Sequence, residues 1–153
     1  MSLSRRLLTP VLMAAAAVVT VLPTSAQAAV ITAHQGKSCT GSAVLRCAWI
    51  NFDTTNNRMR AHADIRDASG GSNYDVRLGN VWVDEYTAGG WVERTGVYEG
   101  SDGWHTDSDS LSASLVSCSG SRTYRVRMES GWRAAGSTGN GTAETRTSKT
   151  FTC

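Results

Sequence analysis

Apolar and polar residues alternate along most of the chain, and this period of two is the strongest restriction on its fold. NYDVRLG and TYRVRMES show the pattern, and so does RMRAHADIRD, residues 58–67. In that last segment apolar side chains share one face and charged ones the other: Met59, Ala61, Ala63 and Ile65 against Arg58, Arg60, His62, Asp64 and Arg66. Successive side chains of a strand point to opposite faces, so each segment predicts a half-buried β-strand.

Turn-forming stretches such as TTNN, DASGGSN, TAGG and GSTGNG separate the strand candidates, and no segment has a sustained helical period. About seven or eight short strands punctuated in this way predict an all-β fold. We expect a single antiparallel β-sandwich, immunoglobulin-like, over residues 29–153. An eight-stranded barrel is the alternative.

The first 28 residues have the composition of a secretory signal peptide. Arg5 and Arg6 precede a short apolar run, and Ala26-Gln27-Ala28 fits the small-x-small cleavage rule. We therefore predict a secreted, extracellular protein that has no membrane segment after cleavage. SRRLL also partly matches a twin-arginine signal, so the export route stays open.

Four cysteines lie beyond the predicted signal peptide: Cys39, Cys47, Cys118 and Cys153. An even number in an exported chain predicts two disulfides, for which three pairings exist. We favour Cys39–Cys47 with Cys118–Cys153, which closes one short loop and fastens the last residue. No CxxC spacing and no cysteine–histidine cluster suggests a metal site.

The net charge of the chain indicates which classes of binding partner to expect. The predicted signal peptide holds two of the 15 Lys and Arg and none of the 13 Asp and Glu, so its removal takes the net charge from +2 to zero. A general electrostatic attraction to nucleic acid or anionic lipid is then absent. We expect no nucleic acid partner; another secreted protein is the expected partner, and a glycan is the alternative.

The sequence contains no recognisable catalytic motif. Its three histidines, His34, His62 and His105, are far apart, and no HExxH, GxSxG or P-loop occurs. Glu85, Glu93 and Glu99 lie near a predicted strand pair but have no companion that indicates a glycosidase. We predict no enzyme, no catalytic residues and no cofactor.

The acidic stretch SDGWHTDSDS, residues 101–110, is the candidate for a metal site. Asp102, Asp107 and Asp109 offer oxygen ligands for an irregular calcium cage, but an EF-hand loop starting at Asp107 would need Glu where Cys118 stands. We expect no metal here and an exposed connection between strands, with the irregular cage as the alternative.

Two sets of residues are candidates for binding. Trp91 and Trp104 follow turns, where exposed rings suit sugar stacking or a protein hot spot. Arg58, Arg60 and His62 lie on the polar face of their strand and predict a recognition stripe. The alternative is a solvated sheet face with cross-strand charge pairs to Asp75, Arg77 or Glu129.

The leader AVITAHQGKS, ahead of Cys39, is a third candidate, because a flexible segment can add as a strand to a partner. A frayed terminus is the alternative.

The early cysteine pair, RAHADIRD, NYDV and the ending TYRVRM…GW…C resemble small secreted actinobacterial two-disulfide β-sandwich proteins. These include the adaptor subunits of umbrella-toxin particles, which join a stalk polypeptide to a lectin-type subunit. The resemblance implies a secreted, non-catalytic protein-interaction module, such as an adaptor in an extracellular complex or toxin particle. The alternatives are a small carbohydrate- or cell-wall-binding domain and a small hydrolase or hydrolase inhibitor.

Overall fold

A computed structural model describes residues 33–98 and 102–153. The predicted signal peptide and Glu99 lie outside the described residues. Within them the chain forms strands alone: β1 Ala33–Thr40, β2 Val44–Asp53, β3 Arg58–Asp67, β4 Tyr74–Thr87, β5 Gly90–Tyr98, β6 Ser108–Ser112, β7 Val116–Ser117, β8 Thr123–Ala134, β9 Thr142–Thr147 and β10 Phe151–Thr152. A helix able to cross a membrane is not found in this described part.

The strands form two antiparallel sheets packed against each other. Sheet A has the order β1-β2-β3-β6, with β7 also pairing with β3. Sheet B has the order β10-β8-β4-β5, with β9 also pairing with β8. The chain crosses between the sheets after β3, β5 and β7. This is the predicted all-β, antiparallel sandwich.

The apolar faces of the alternating strands meet in the core, as the period of two predicts. The four apolar residues of β3, Met59, Ala61, Ala63 and Ile65, are fully buried. They pack with the inward residues of β4 and β8, namely Val76, Leu78, Val81, Val83, Tyr124, Val126 and Met128. Removing this apolar surface from water is the main stabilisation of the sandwich.

Both favoured disulfides are present in the structure. Cys39 and Cys47 are directly opposite each other on β1 and β2. Cys118 follows β7 of sheet A, whereas Cys153 follows β10 of sheet B, so the second disulfide links the two sheets. Two disulfides fit an extracellular protein.

Two expectations about local structure are wrong. The leader is not free from Ala33 onward, because it forms β1 and pairs with β2 along the edge of sheet A. The acidic stretch is not exposed throughout, because Asp109 lies in β6, paired with Ile65, and its side chain is buried. In both cases strand pairing gave order to a segment whose composition suggested a loop: β1 pairs with the next strand along the chain, and β6 pairs with the distant β3.

Candidate functional site

The outer face of sheet B carries arginines that are neutralised by carboxylates. Buried Asp84 pairs with Nε of Arg125 and Arg127, at 3.3 Å and 3.0 Å. Asp75 pairs with Arg133 at 3.2 Å. Because these charges meet within the sheet, this face has little unbalanced charge for a partner.

The tryptophans of the same face lie beneath these arginines. A guanidinium carbon stands 4.0–4.6 Å from the centroid of each ring: Arg127 over Trp82, Arg125 over Trp91, and both Arg77 and Arg133 over Trp104. Such stacking is a cation–π contact. Trp91 pairs with Tyr86 near the end of β4, whereas Trp104 lies near its beginning. The two predicted binding tryptophans are therefore half-buried and do not form one aromatic patch.

The outer face of sheet A is different in charge. We call its four cations, Lys37, Arg58, Arg60 and Arg66, the basic face; none of them forms an ion pair with any described residue. The alternative of cross-strand charge pairs to Asp75, Arg77 or Glu129 is wrong, because those residues belong to sheet B. Within the basic face, the Nε of Arg60 is buried and has no hydrogen-bond partner in the described structure.

The carboxylates closest in sequence to the basic face form no ion pair with it, and the charges of Arg58 on Asp53 and of Arg66 and Lys37 on Asp64 act at longer range. Asp53 accepts hydrogen bonds from Thr55 and Asn56 in the β2–β3 turn. Asp67 accepts from Ser69, whose hydroxyl lowers the pKa of that carboxyl to about 2, together with backbone N–H groups of Ser69, Asn73 and Tyr74. Asp64 remains, and burial raises its pKa. The net charge of this face is positive.

A cluster of two histidines, a tryptophan and an asparagine adjoins the basic face; we call it the His–Trp cluster. Trp49 Nε1 and His34 Nδ1 both bond to the Oδ1 of Asn51, each at 2.7 Å, and an amide oxygen accepts, so both nitrogens donate. The His62 ring lies 4.3 Å from that of Trp49. The predicted stripe residue His62 therefore packs against a tryptophan whose indole N–H is hydrogen-bonded.

Sequence reasoning missed most of this cluster. Trp49, which was not a candidate, lies on the outer side of sheet A, where Lys37 stands 4.7 Å above its ring. It is only 9% exposed. The alternation of side chains along β2 could have shown this position. Cys47, Trp49 and Asn51 share one face, opposite the core residues Ala48 and Ile50.

The lowered pKa of His62 should make the stability of the protein depend on pH. Burial lowers this pKa below its ordinary 6.5, and the positive charges of Arg60, His34 and Lys37 lower it further. The folded chain therefore binds a proton at His62 less readily than the unfolded chain. This contribution to stability is complete above pH ~6.5 and is lost as the pH falls through the folded-state pKa.

We expect the free energy of unfolding to decrease between pH ~7.5 and pH ~5.5, and His62→Gln to reduce that decrease. Denaturant titrations at both pH values measure it, with His105→Gln, a substitution remote from the basic face, as the control. An equal loss in the wild type and in His62→Gln would show that His62 is not responsible.

The calcium cage, which was the alternative to a site without metal, is brought together only in part. Asp102, His105 and Asp109 place ligand atoms within 4.8 Å of one another, but the predicted third ligand, Asp107, instead accepts a hydrogen bond from Ser72 Oγ at 3.1 Å. His105 Nε2 pairs with Asp102 at 3.1 Å, and Asp109 accepts the Leu78 N–H. Burial raises the pKa of Asp109. Each of the three aspartates thus has a hydrogen-bond partner within the protein, and we assign no metal to them.

One serine–histidine pair occurs on sheet A. His62 Nδ1 lies 2.6 Å from Ser112 Oγ, which is the first contact of a nucleophilic site. No described carboxylate hydrogen-bonds to the His62 ring, so the acid that would orient it is missing from the described part. The absence of an enzyme activity stays a prediction.

No protein-family model matches the chain, and no curated protein resembles it at a significant level.

Proposed function

We propose that this chain is a secreted, non-catalytic protein-interaction module, which acts as an adaptor by binding an acidic surface of another secreted protein. The observation that carries the proposal is the basic face. Lys37, Arg58, Arg60 and Arg66 share one side of sheet A and have no ion-pair partner among the described residues, whereas Asp84 and Asp75 pair with arginines of sheet B.

The chemistry of these side chains suits a protein partner. Arginine forks bind carboxylates with two parallel hydrogen bonds and are enriched at protein interfaces. The β3 backbone at Arg58 and Arg66 is paired on both sides, by β2 and by β7 or β6, so these cations project from an ordered part of the sheet. Little conformational freedom of the backbone is then lost on binding.

Secretion is the second part of the proposal. It is supported by the predicted signal peptide and by two disulfides, which form and persist in oxidising compartments. An acidic partner in the same compartment would be attracted over a Debye length of roughly 8–10 Å, and the attraction would weaken as salt is added.

The experiment is an affinity capture from culture supernatant, read by quantitative mass spectrometry. Arg58→Gln with Arg60→Gln removes two charges from the basic face. Arg94→Gln with Arg146→Gln removes the same charge from sheet B and is the control, since Glu85 and Glu144 keep Arg122 and Arg46 as partners. We expect the first pair to reduce capture of the main partner at least about tenfold, and the control pair to leave it unchanged.

Equal capture by both double variants would contradict the proposal. So would a main partner whose binding does not weaken with added salt, since charge complementarity is the stated basis of recognition.

A further inference from the structure

A cavity of about 450 Å³ opens in sheet B, on the opposite sheet from the basic face. Strands β4, β8 and β9 contribute to it, and Gly103 closes one side; its lining is Arg77, Leu78, Gly79, Asn80, Gly103, Glu129, Ser130, Ala143, Glu144 and Thr145. This volume lies in the range of small-molecule sites.

Small residues make the cavity. The pairing of β4 with β8 shifts register between Leu78 and Val81, which places Gly79 beside Glu129. A Cβ on Gly79 would lie 3.6 Å from Glu129 Oε2, in van der Waals contact with the carboxylate. A Cβ on Gly131 would lie 3.2 Å from Arg77 Nε, so the glycine allows Arg77 to lie across the sheet.

The charged groups of the cavity can form further hydrogen bonds with a ligand. Glu129 accepts a hydrogen bond from Asn80 Nδ2 and forms no ion pair with a described residue. Arg77 also forms none, and its guanidinium is held 4.6 Å from the Trp104 centroid. Ser130 is only 4% exposed, and its Oγ is buried without a hydrogen-bond partner among the described residues.

The charges indicate an uncharged ligand. Arg77 and Glu129 bring one charge of each sign, and the other carboxylate, Glu144, is paired with Arg46 at 3.0 Å. The cavity is therefore lined by carboxylate, amide, guanidinium and hydroxyl groups together with small residues. A neutral compound rich in hydroxyls matches it, because hydroxyls both donate to Glu129 and accept from Arg77 and Asn80.

We propose that this cavity binds one neutral sugar residue of a glycan. Trp104 supports Arg77 here and does not stack on the sugar, because Arg77 and Arg133 already lie over its ring. The site is independent of the proposed docking through sheet A, so either can fail without the other.

The experiment follows backbone amides of the 15N-labelled protein by NMR while glucose, galactose, mannose and N-acetylglucosamine are added separately. We expect at least one sugar to give saturable shifts at Gly79, Asn80, Ser130 and Thr145. Ala143→Leu fills the cavity and should abolish these shifts. Thr147→Leu, on the same face of β9 but outside the cavity, should retain them. Glu129→Gln keeps the shape and should raise the Kd about tenfold by weakening charged hydrogen bonds.

Three results would overturn the inference. The first is the absence of saturable shifts with every sugar. The second is unchanged binding in both Ala143→Leu and Glu129→Gln. The third is a response only to charged probes, such as free amino acids or inorganic phosphate. The NMR spectrum of each variant reports its folding, so loss of binding is distinguished from loss of structure.

Discussion

We expect Asp84→Ala to lower the free energy of unfolding by about 2–4 kcal/mol, because removing one partner of a buried ion pair leaves the other charge unbalanced. Asp84 is 2% exposed and pairs with Arg125 and Arg127, which in turn cover Trp91 and Trp82. One carboxylate therefore holds two cation–π contacts in place. The half-buried arginines can partly regain water, which keeps the loss below the upper end for buried pairs.

Glu93→Ala is the matched control for Asp84. Glu93 pairs with the same Arg127 at 3.1 Å, but its side chain is 40% exposed. An exposed pair of this kind contributes about 0–1 kcal/mol. Denaturant unfolding of both variants measures the difference, and an equal loss for the two would contradict the role assigned to Asp84.

The second large effect is expected at the disulfide between the sheets. Cys118→Ala with Cys153→Ala should cost about 3–4 kcal/mol, whereas Cys39→Ala with Cys47→Ala should cost about 2–3 kcal/mol. The sequence separations are 35 and 8 residues, and a longer closed loop restricts the unfolded chain more. Cys118 is also buried in the core, so its replacement removes packing as well.

Unfolding midpoints in denaturant, measured on both double variants, test this order. A larger loss from the Cys39–Cys47 pair would mean that the restriction of the unfolded chain does not decide the difference.

The fold could be predicted because its information is local. In β3, every second residue from Met59 to Ile65 is apolar and every one of these is buried, so the period alone identified the core face. The even number of cysteines predicted two disulfides, and the favoured one of the three possible pairings is the one present. The burial of Asp109 could not be predicted, because it depends on strand pairing with Ile65 and on a hydrogen bond from the Leu78 N–H. Both partners are far away in sequence.

The candidate sites were predicted only in part, for the same reason. Arg58, Arg60 and His62 were recognised from the outward face of a single strand. The partners of His62 come from three other strands, β1, β2 and β6, whose register cannot be read from the sequence. The coverage of Trp91 and Trp104 by arginines depends equally on the pairing of β4, β5 and β8.

Protection of individual arginines in the complex tests the proposed docking most directly. Phenylglyoxal modifies accessible arginines, and mass spectrometry locates the modified residues with and without the captured partner. We predict that the partner protects Arg58 and Arg66 on the exposed basic face, while Arg94 and Arg122, whose side chains are 51% exposed on sheet B, react as before. Protection of Arg94 and Arg122 with continued reaction of Arg58 and Arg66 would contradict docking through the basic face.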